Sequence, residues 1–209
     1  MRHIIQNLII SIMIFLPISV FAISDIYRLP SGDNWFYFND TGYIYILSYI
    51  DSDLFREVAL AIDFFKSAQI NSIKVTINSP GGSFFDSIGI AQLLLSVRDK
   101  VRVETYGAGI IGSGATLIII AGTPGYRFAY DDSVFMLHST IMGRSESYAT
   151  LVETIKDTER HKYIQNMMEN IYLKQLKITN KELKLLLEKE SWLDVQESLR
   201  IGLIDKVLK

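Results

Sequence analysis

The sequence predicts an α/β domain, and three observations lead to this fold class. Segments rich in β-branched and aromatic residues alternate with segments whose apolar residues recur every three or four positions. The connections between them hold glycine, proline, asparagine and aspartate, as turns do. The chain has 209 residues, 49% hydrophobic and 21% charged, and no internal repeat or low-complexity linker, so one domain accounts for it.

The N-terminal 22 residues have the order of a secretory signal peptide. Arg2 gives a basic start, residues 4–20 are almost wholly apolar, and small residues precede a cleavage site after Ala22. The alternative is an uncleaved anchor, because about 17 to 20 apolar residues can just span a bilayer. Pro17 favours cleavage, since proline breaks a helix near the end of such a span. We expect an exported protein, periplasmic or secreted, which is membrane-anchored only if residues 4–20 remain attached.

Two pairs of strand and helix come next. Residues 43–49 are β-branched and aromatic and predict a buried strand. Residues 54–65 have helical spacing of apolar positions, and residues 51–53 supply capping side chains. Residues 73–77 predict the next strand. The helix after it has its apolar positions at Ile88, Ala91, Leu94, Leu95 and Val97.

The middle of the chain predicts strands around a buried helix. Residues 101–106 predict a third strand, and residues 107–112 predict a loop of small residues. Residues 115–121 predict a short helix that is apolar on all sides and must therefore lie in the core. Two further short strands are predicted at residues 126–129 and 134–138.

A long polar helix predicts an oligomer. From residue 146 to about residue 177 the chain is helical in pattern, with an apolar stripe of Leu151, Ile155, Ile164, Met167, Met168 and Ile171. So long a helix in a small domain usually packs on a partner subunit or projects as an arm, so we expect a homo-oligomer. A capped helix restarts at residue 179, and residues 192–207 close the domain with a helix and a strand.

Charge and cysteine content exclude several functions. Lys plus Arg number 21 and Asp plus Glu number 23, for a formal net charge of −2, and no long basic run is present. We therefore expect no nucleic-acid partner. The chain has no cysteine, which excludes disulfides, zinc ribbons and cysteine nucleophiles. We expect neither a metal site nor a cofactor.

Three features have chemical meaning, and each also has a purely structural interpretation. The glycines of Pro80-Gly81-Gly82 can point N–H groups into a cleft, or they simply make a tight strand-to-helix connection. Ser113 stands before the buried helix, where serine commonly acts as an N-cap, and Ile111 departs from the G-x-S-x-G elbow. His138 ends a strand and is the best imidazole base of the mature chain, unless it is a structural histidine.

Four separated segments together resemble the Clp protease proteolytic subunit and its relatives. They are residues 77–83, 112–122, 127–129 and 136–138, and residues 192–205 resemble that family's C-terminal segment. The likeness covers about residues 43–207 and is closest to exported Clp-like proteins of bacterial envelopes. It implies the ββα superhelix of the ClpP/crotonase fold for residues 23–209, with residues 146–177 as a long helical arm.

The resemblance also implies serine peptidase chemistry on a peptide or protein substrate. Ser113 would be the nucleophile and His138 the base that takes its proton. The backbone N–H groups of Gly82 and Gly114 would bind the oxyanion. The chain has no ATP-binding loop, so the peptidase would work without ATP and without a cofactor.

The third member of the implied triad is a glutamate rather than an aspartate. The family's aspartate falls on Glu190, which is one methylene longer, and Glu188 is the fallback. Alternatively, both glutamates belong to a solvated helix end.

Three rival functions stay open at this point. An inactive binding or assembly protein would keep the fold, as Glu190 in place of aspartate and the glycine after Ser113 suggest. A Ser-Lys dyad would need Lys74 or Lys100 as the base. An acyl-CoA enzyme of the crotonase group would share the paired backbone donors, although the chain is short for that group.

Overall fold

The computed structural model describes residues 31–141 and 150–209. The predicted signal peptide at residues 1–22, residues 23–30 of the predicted domain and the start of the predicted arm lie outside these ranges. Within the described ranges, no helix combines the length and the apolar character that a membrane span needs.

One mixed sheet organises the described residues. Its strands are β1 (Ser31–Gly32), β2 (Trp35–Phe38), β3 (Thr41–Ile46), β4 (Ser72–Ser79), β5 (Arg102–Gly112), β6 (Arg127–Tyr130), β7 (Val134–Leu137), β8 (Ser191–Leu193) and β9 (Lys206–Leu208). The helices are α1 (Ser52–Ser67), α2 (Phe84–Val97), α3 (Gly114–Ile119), α4 (Leu151–Gln175), α5 (Asn180–Glu188) and α6 (Val195–Ile201). Strand and helix alternate from β3 to α3, which confirms the predicted α/β class.

The strand order places the ends of β5 and β7 side by side. The sheet runs β1-β2-β3-β4-β5-β6-β9, and β3, β4, β5, β6 and β9 are parallel, as helical crossovers require. β5 pairs twice, through residues 105–107 with β6 and through residues 110–112 with β7. The second pairing aligns Gly112 with Met136, so Ser113 and His138 leave the sheet at the same place.

The helices bury their apolar faces against this sheet. In β3 the buried residues alternate with half-exposed ones, and α1 adds the buried side chains that its spacing predicts. Asp51 caps α1 by accepting the N–H of Leu54 at 2.9 Å. α3 is buried at each of its positions, as its apolar sequence predicts. The nucleophile candidate therefore precedes a helix embedded in the core.

A buried ion pair attaches the last strand. Arg127 donates from Nε and Nη2 to the carboxylate of Asp205 at 2.8 and 2.5 Å, and from Nη1 to the carbonyl of Gly202 at 2.7 Å. Such a bidentate pair is specific in geometry. It joins residues 127–129 to residues 202–205, two of the segments on which the family resemblance rests.

The structure differs from the predicted elements in three places. Residues 107–112, predicted as a loop, form the second half of β5, because pairing on both sides outweighs the low strand preference of glycine. The stretch before residue 43, for which the sequence predicts no strand or helix, holds β1 and β2, which form an antiparallel edge on β3. Trp192, predicted to begin the closing helix, lies in β8, and α6 begins at Val195.

Candidate active site

Ser113 occupies a sharp turn between the end of β5 and the start of α3. Its backbone has φ 50° and ψ −123°, a conformation that a non-glycine residue adopts at a cost of about 1–3 kcal/mol. The Ser113 N–H donates to the carbonyl of Met136 at 2.7 Å, which fixes the turn against β7. Ser113 holds the N-cap position of α3, but its side chain makes no capping hydrogen bond. The structural interpretation of Ser113 as a helix cap is therefore weakened.

The Ser113 hydroxyl instead meets the imidazole of His138. Oγ of Ser113 and Nε2 of His138 are 2.8 Å apart. Nδ1 of the same ring lies 2.5 Å from the carbonyl oxygen of Ser139. A carbonyl only accepts hydrogen bonds, so Nδ1 carries the proton and Nε2 of the neutral ring is free to accept from Ser113. This is the tautomer that a general base for Ser113 needs.

The two glycines predicted to bind the oxyanion line the same cleft as the serine. Gly82 and Gly114 both line it, and a Cβ built on Gly114 would lie 3.8 Å from the nitrogen of Gly82. Among the backbone hydrogen bonds that residues 31–141 and 150–209 make outside regular helices and strands, none uses the N–H of Gly82 or of Gly114. The loop is held by Ile50, whose N–H donates to Gly81 at 2.9 Å and whose carbonyl accepts from Ser83 at 2.8 Å. Both N–H groups are therefore available to donate to a further acceptor.

Two hydrogen bonds in series connect the Ser113 turn to α4. Thr116 Oγ1 donates to the carbonyl of Ser113 at 2.5 Å, so it accepts from the hydroxyl of Tyr172 on α4 at 2.5 Å. Burial raises the pKa of Tyr172 to about 12, against a smaller lowering by the Thr116 hydrogen bond. The phenol therefore stays protonated and able to donate at neutral pH.

The cleft itself has a volume of about 700 Å³ and mainly apolar walls. Its apolar lining comes from four elements: Phe84 and Phe85 of α2, Leu117 of α3, Met136 of β7, and Ile164 and Met168 of α4. None of the described residues that line the cleft is Asp, Glu, Lys or Arg. Within the described ranges, no cluster of three His, Asp or Glu residues is arranged to hold a metal ion.

The structure does not bring either predicted glutamate to the imidazole. Glu190 directly precedes β8, and the pairing of Leu137 with Ser191 places it at the same end of the β7–β8 ladder as His138. Its side chain is exposed, however, and in the described part of the chain no hydrogen bond joins Glu190 or Glu188 to His138. Glu188 lines a separate cleft of about 530 Å³ beside α4. The atom that orients the ring is the Ser139 carbonyl, which sequence reasoning missed because every residue has a carbonyl.

The two lysines considered for a Ser-Lys dyad lie at the wrong end of the sheet. Lys74 is near the start of β4 and Lys100 precedes β5, whereas Ser113 follows the end of β5. At about 3.3 Å per residue, Lys74 is about 16 Å along β4 from Ser79, which is at the site end of that strand. The geometry therefore does not support a lysine base.

Comparison with known proteins agrees with this geometry. The family model described as Clp protease matches residues 32–209. The chain belongs to the Clp protease family. The likeness found in its motifs is thereby confirmed.

Individual Clp relatives are distant and are matched over part of their length. The chain is 28% identical over 137 residues to ATP-dependent Clp protease proteolytic subunit 1 of Cutibacterium acnes, covering 65% of this chain and 62% of that one. It is 28% identical over 138 residues to the proteolytic subunit of Porphyromonas gingivalis, covering 66% and 60%. With the Streptococcus mutans subunit it shares 28% identity over 152 residues, covering 69% and 74%. The chain thus spans less than two thirds of the length of the first two relatives.

Proposed function

We propose that this Clp-family protein is an exported serine peptidase that hydrolyses peptide bonds without ATP. The observation that carries the proposal is the Ser113–His138 contact of 2.8 Å beside two unoccupied backbone donors. A hydroxyl, a base in the correct tautomer and two N–H groups are the parts that acyl transfer needs. Family membership supports peptide-bond hydrolysis as the reaction.

The reaction follows from the positions of these groups. Ser113 Oγ attacks the peptide carbonyl carbon as His138 Nε2 takes the hydroxyl proton. The carbonyl oxygen becomes an oxyanion and accepts the N–H groups of Gly82 and Gly114. The imidazolium then gives its proton to the leaving amine nitrogen, the C–N bond breaks, and an acyl-enzyme remains. Water, deprotonated by His138, hydrolyses the ester and restores Ser113.

Orientation of the imidazole is the third role in this mechanism. In the geometry described above, the Ser139 carbonyl fills it by accepting the Nδ1–H of His138. Glu190 completes a Ser-His-acid triad only if its exposed carboxylate turns towards His138, beside which the register of β7 and β8 places it. Export rests on the signal-peptide pattern of residues 1–22, with cleavage after Ala22.

A homo-oligomer is part of the proposal. The first half of α4 exposes several large apolar side chains, and a monomer rarely leaves such a stripe in water. They are Leu151, Val152, Ile155 and Tyr163. Light scattering at micromolar concentration should give a multiple of the monomer mass, and a monomer mass throughout would contradict this part.

A fluorophosphonate probe tests the activity. It should label the purified protein, peptide mapping should place the adduct on Ser113, and Ser113→Ala should abolish labelling. A folded wild-type protein that resists the probe and leaves peptides intact would support the inactive binding protein, which the exposed position of Glu190 favours. Mass spectrometry of the exported protein should find Ile23 at its N-terminus, whereas intact Met1 would indicate an anchor.

A further inference from the structure

The segment that follows β7 is held by side chains of α4, and this contact extends the site beyond Ser113 and His138. The peptide unit between Ser139 and Thr140 has its carbonyl on His138 Nδ1 at 2.5 Å. The N–H of the same peptide unit donates to Oε1 of Gln165 at 2.9 Å. Because the C=O and N–H of a trans peptide are rigidly coplanar and opposed, holding the N–H aims the carbonyl.

Gln165 is itself fixed by three hydrogen bonds. Besides the Thr140 N–H, its Oε1 accepts the Thr140 hydroxyl at 3.0 Å. Its Nε2 donates to Oε1 of Glu169 at 3.0 Å, which settles which end of the amide faces Thr140. Glu169 is a buried carboxylate, 8% exposed, with Lys184 Nζ 4.0 Å from its other oxygen. The amide therefore has one orientation.

These contacts form one continuous series from a carboxylate to the nucleophile. It runs from Glu169 through Gln165, the 139–140 peptide and His138 to Ser113. Hydrogen bonds in such a series polarise one another, so the bond to Gln165 makes the Ser139 carbonyl a better acceptor. The Glu169 carboxylate thus lies on the Nδ1 side of His138, as a triad acid would, but the Gln165 amide and the 139–140 peptide separate it from the ring.

We propose that Gln165 is a positioning residue for His138: it fixes the 139–140 peptide so that the Ser139 carbonyl keeps the imidazole in its Nδ1–H tautomer. The proposal rests on the proposed function for its catalytic consequence, but the tautomer itself requires no activity. Gln165 does not line the cleft beside Ser113, so it acts without touching substrate. His161 supports the same segment by donating from Nε2 to the Thr140 carbonyl at 2.7 Å.

The test replaces the amide by an apolar side chain of the same shape. In Gln165→Met, ¹⁵N NMR of the neutral His138 ring should show both tautomers, whereas the wild-type protein should show only Nδ1–H. The rate of Ser113 labelling should fall about 10- to 100-fold, the size of loss seen in metal affinity or activity when a partner that orients a metal-binding histidine is removed. In peptide hydrolysis, kcat should fall and KM should stay. The matched control is Asn166→Leu, at the exposed neighbouring position, which should change neither readout.

Exchanging the two side chains provides a rescue. In Q165E/E169Q, the carboxylate at position 165 still accepts from Thr140 and the amide at position 169 donates to it, so each hydrogen bond is kept. The tautomer should be retained, with labelling near the wild-type rate. If Q165M does not fold, this exchange decides alone, and loss of the Nδ1–H tautomer in the folded double variant would overturn the proposal.

The outcomes separate the two proposals. An unchanged His138 tautomer in folded Q165M overturns the positioning role, whatever the protein's activity. A changed tautomer in Q165M, together with a wild-type protein that the probe does not label, supports the positioning role and overturns the peptidase. If Q165M and Q165E/E169Q are both folded and both label Ser113 slowly, the loss reflects a general change of structure, and the positioning role is overturned.

Discussion

The two halves of the candidate site are built in different ways. The nucleophile side, from the end of β5 through α3, is set by the backbone: a strained turn, a strand pairing and a helix buried at each position. The base side, residues 138–141 after β7, belongs to no helix or strand. Its peptides are held instead by Leu187 of α5 and by Gln165 and His161 of α4.

This difference determines what each side can tolerate. The nucleophile side lies inside the core, so changes there act first on stability. The base side depends on a few hydrogen bonds from distant helices, so changes there act first on the orientation of the imidazole. Variants of the two sides should therefore separate into those that lower stability and those that lower activity.

The largest expected effect is common to both sides, because proton transfer needs both partners. Ser113→Ala and His138→Ala should each lower kcat for a peptide substrate by about 10⁴-fold or more, and the double variant should lose little beyond either. Initial rates on one fluorogenic peptide, with folding checked by circular dichroism, measure this. If His138→Ala kept more than a tenth of the activity, the 2.8 Å contact would have no role in the reaction.

The next largest effect is on stability, on the nucleophile side. Tyr172→Phe removes the hydroxyl that donates to Thr116 and should lower the free energy of unfolding by about 1–2 kcal/mol at pH 8. The value of kcat should stay within about threefold of the wild-type value. The urea midpoint measures it. A large loss of kcat with unchanged stability would contradict the division between the sides.

The same residue gives that side a pH dependence of known sign. Burial raises the pKa of Tyr172 to about 12, whereas the unfolded residue ionises near 10. The ionisation of Tyr172 therefore does not change the free energy of unfolding of the wild-type protein below about pH 10, and it lowers that free energy by up to about 2.7 kcal/mol as the pH rises towards 12. In Tyr172→Phe this loss should be absent. Parallel urea titrations at pH 8 and pH 11 compare the two proteins, and equal losses would show that Tyr172 is not buried as described.

What the sequence could predict follows the same division. Ser113 and His138 stand at the ends of neighbouring strands beside recognisable glycines, so local patterns and family likeness were enough to select them. The groups that orient the ring could not be found in this way. The Ser139 carbonyl has no side-chain signal, and Gln165 lies 25 residues after Thr140, where only tertiary packing brings it into contact. The pairing that turns residues 107–112 into strand is equally non-local.

A smaller effect is expected from the hydroxyl on the base side. Thr140→Val removes one of the two hydrogen bonds between Thr140 and Gln165 and keeps the backbone one, so kcat should fall about two- to fivefold with stability almost unchanged. Thr158→Val is the control, since that hydroxyl bonds only within exposed α4 in the described structure. Equal activities of the two variants would show that the backbone hydrogen bond alone positions the peptide.

The smallest effect should come from the carboxylate that family likeness selected. With the Glu190 side chain exposed and the Ser139 carbonyl on Nδ1, Glu190→Gln should change kcat less than about twofold, as should the control Glu188→Gln. The reason is that a ring already held by a carbonyl gains little orientation from a solvated carboxylate, whose charge water screens. Matched pH–rate profiles of the three proteins provide the measurement. A loss of 100-fold or more in Glu190→Gln alone would mean that this carboxylate turns inward during catalysis and displaces the Ser139 carbonyl, so that the base side carries a triad acid after all.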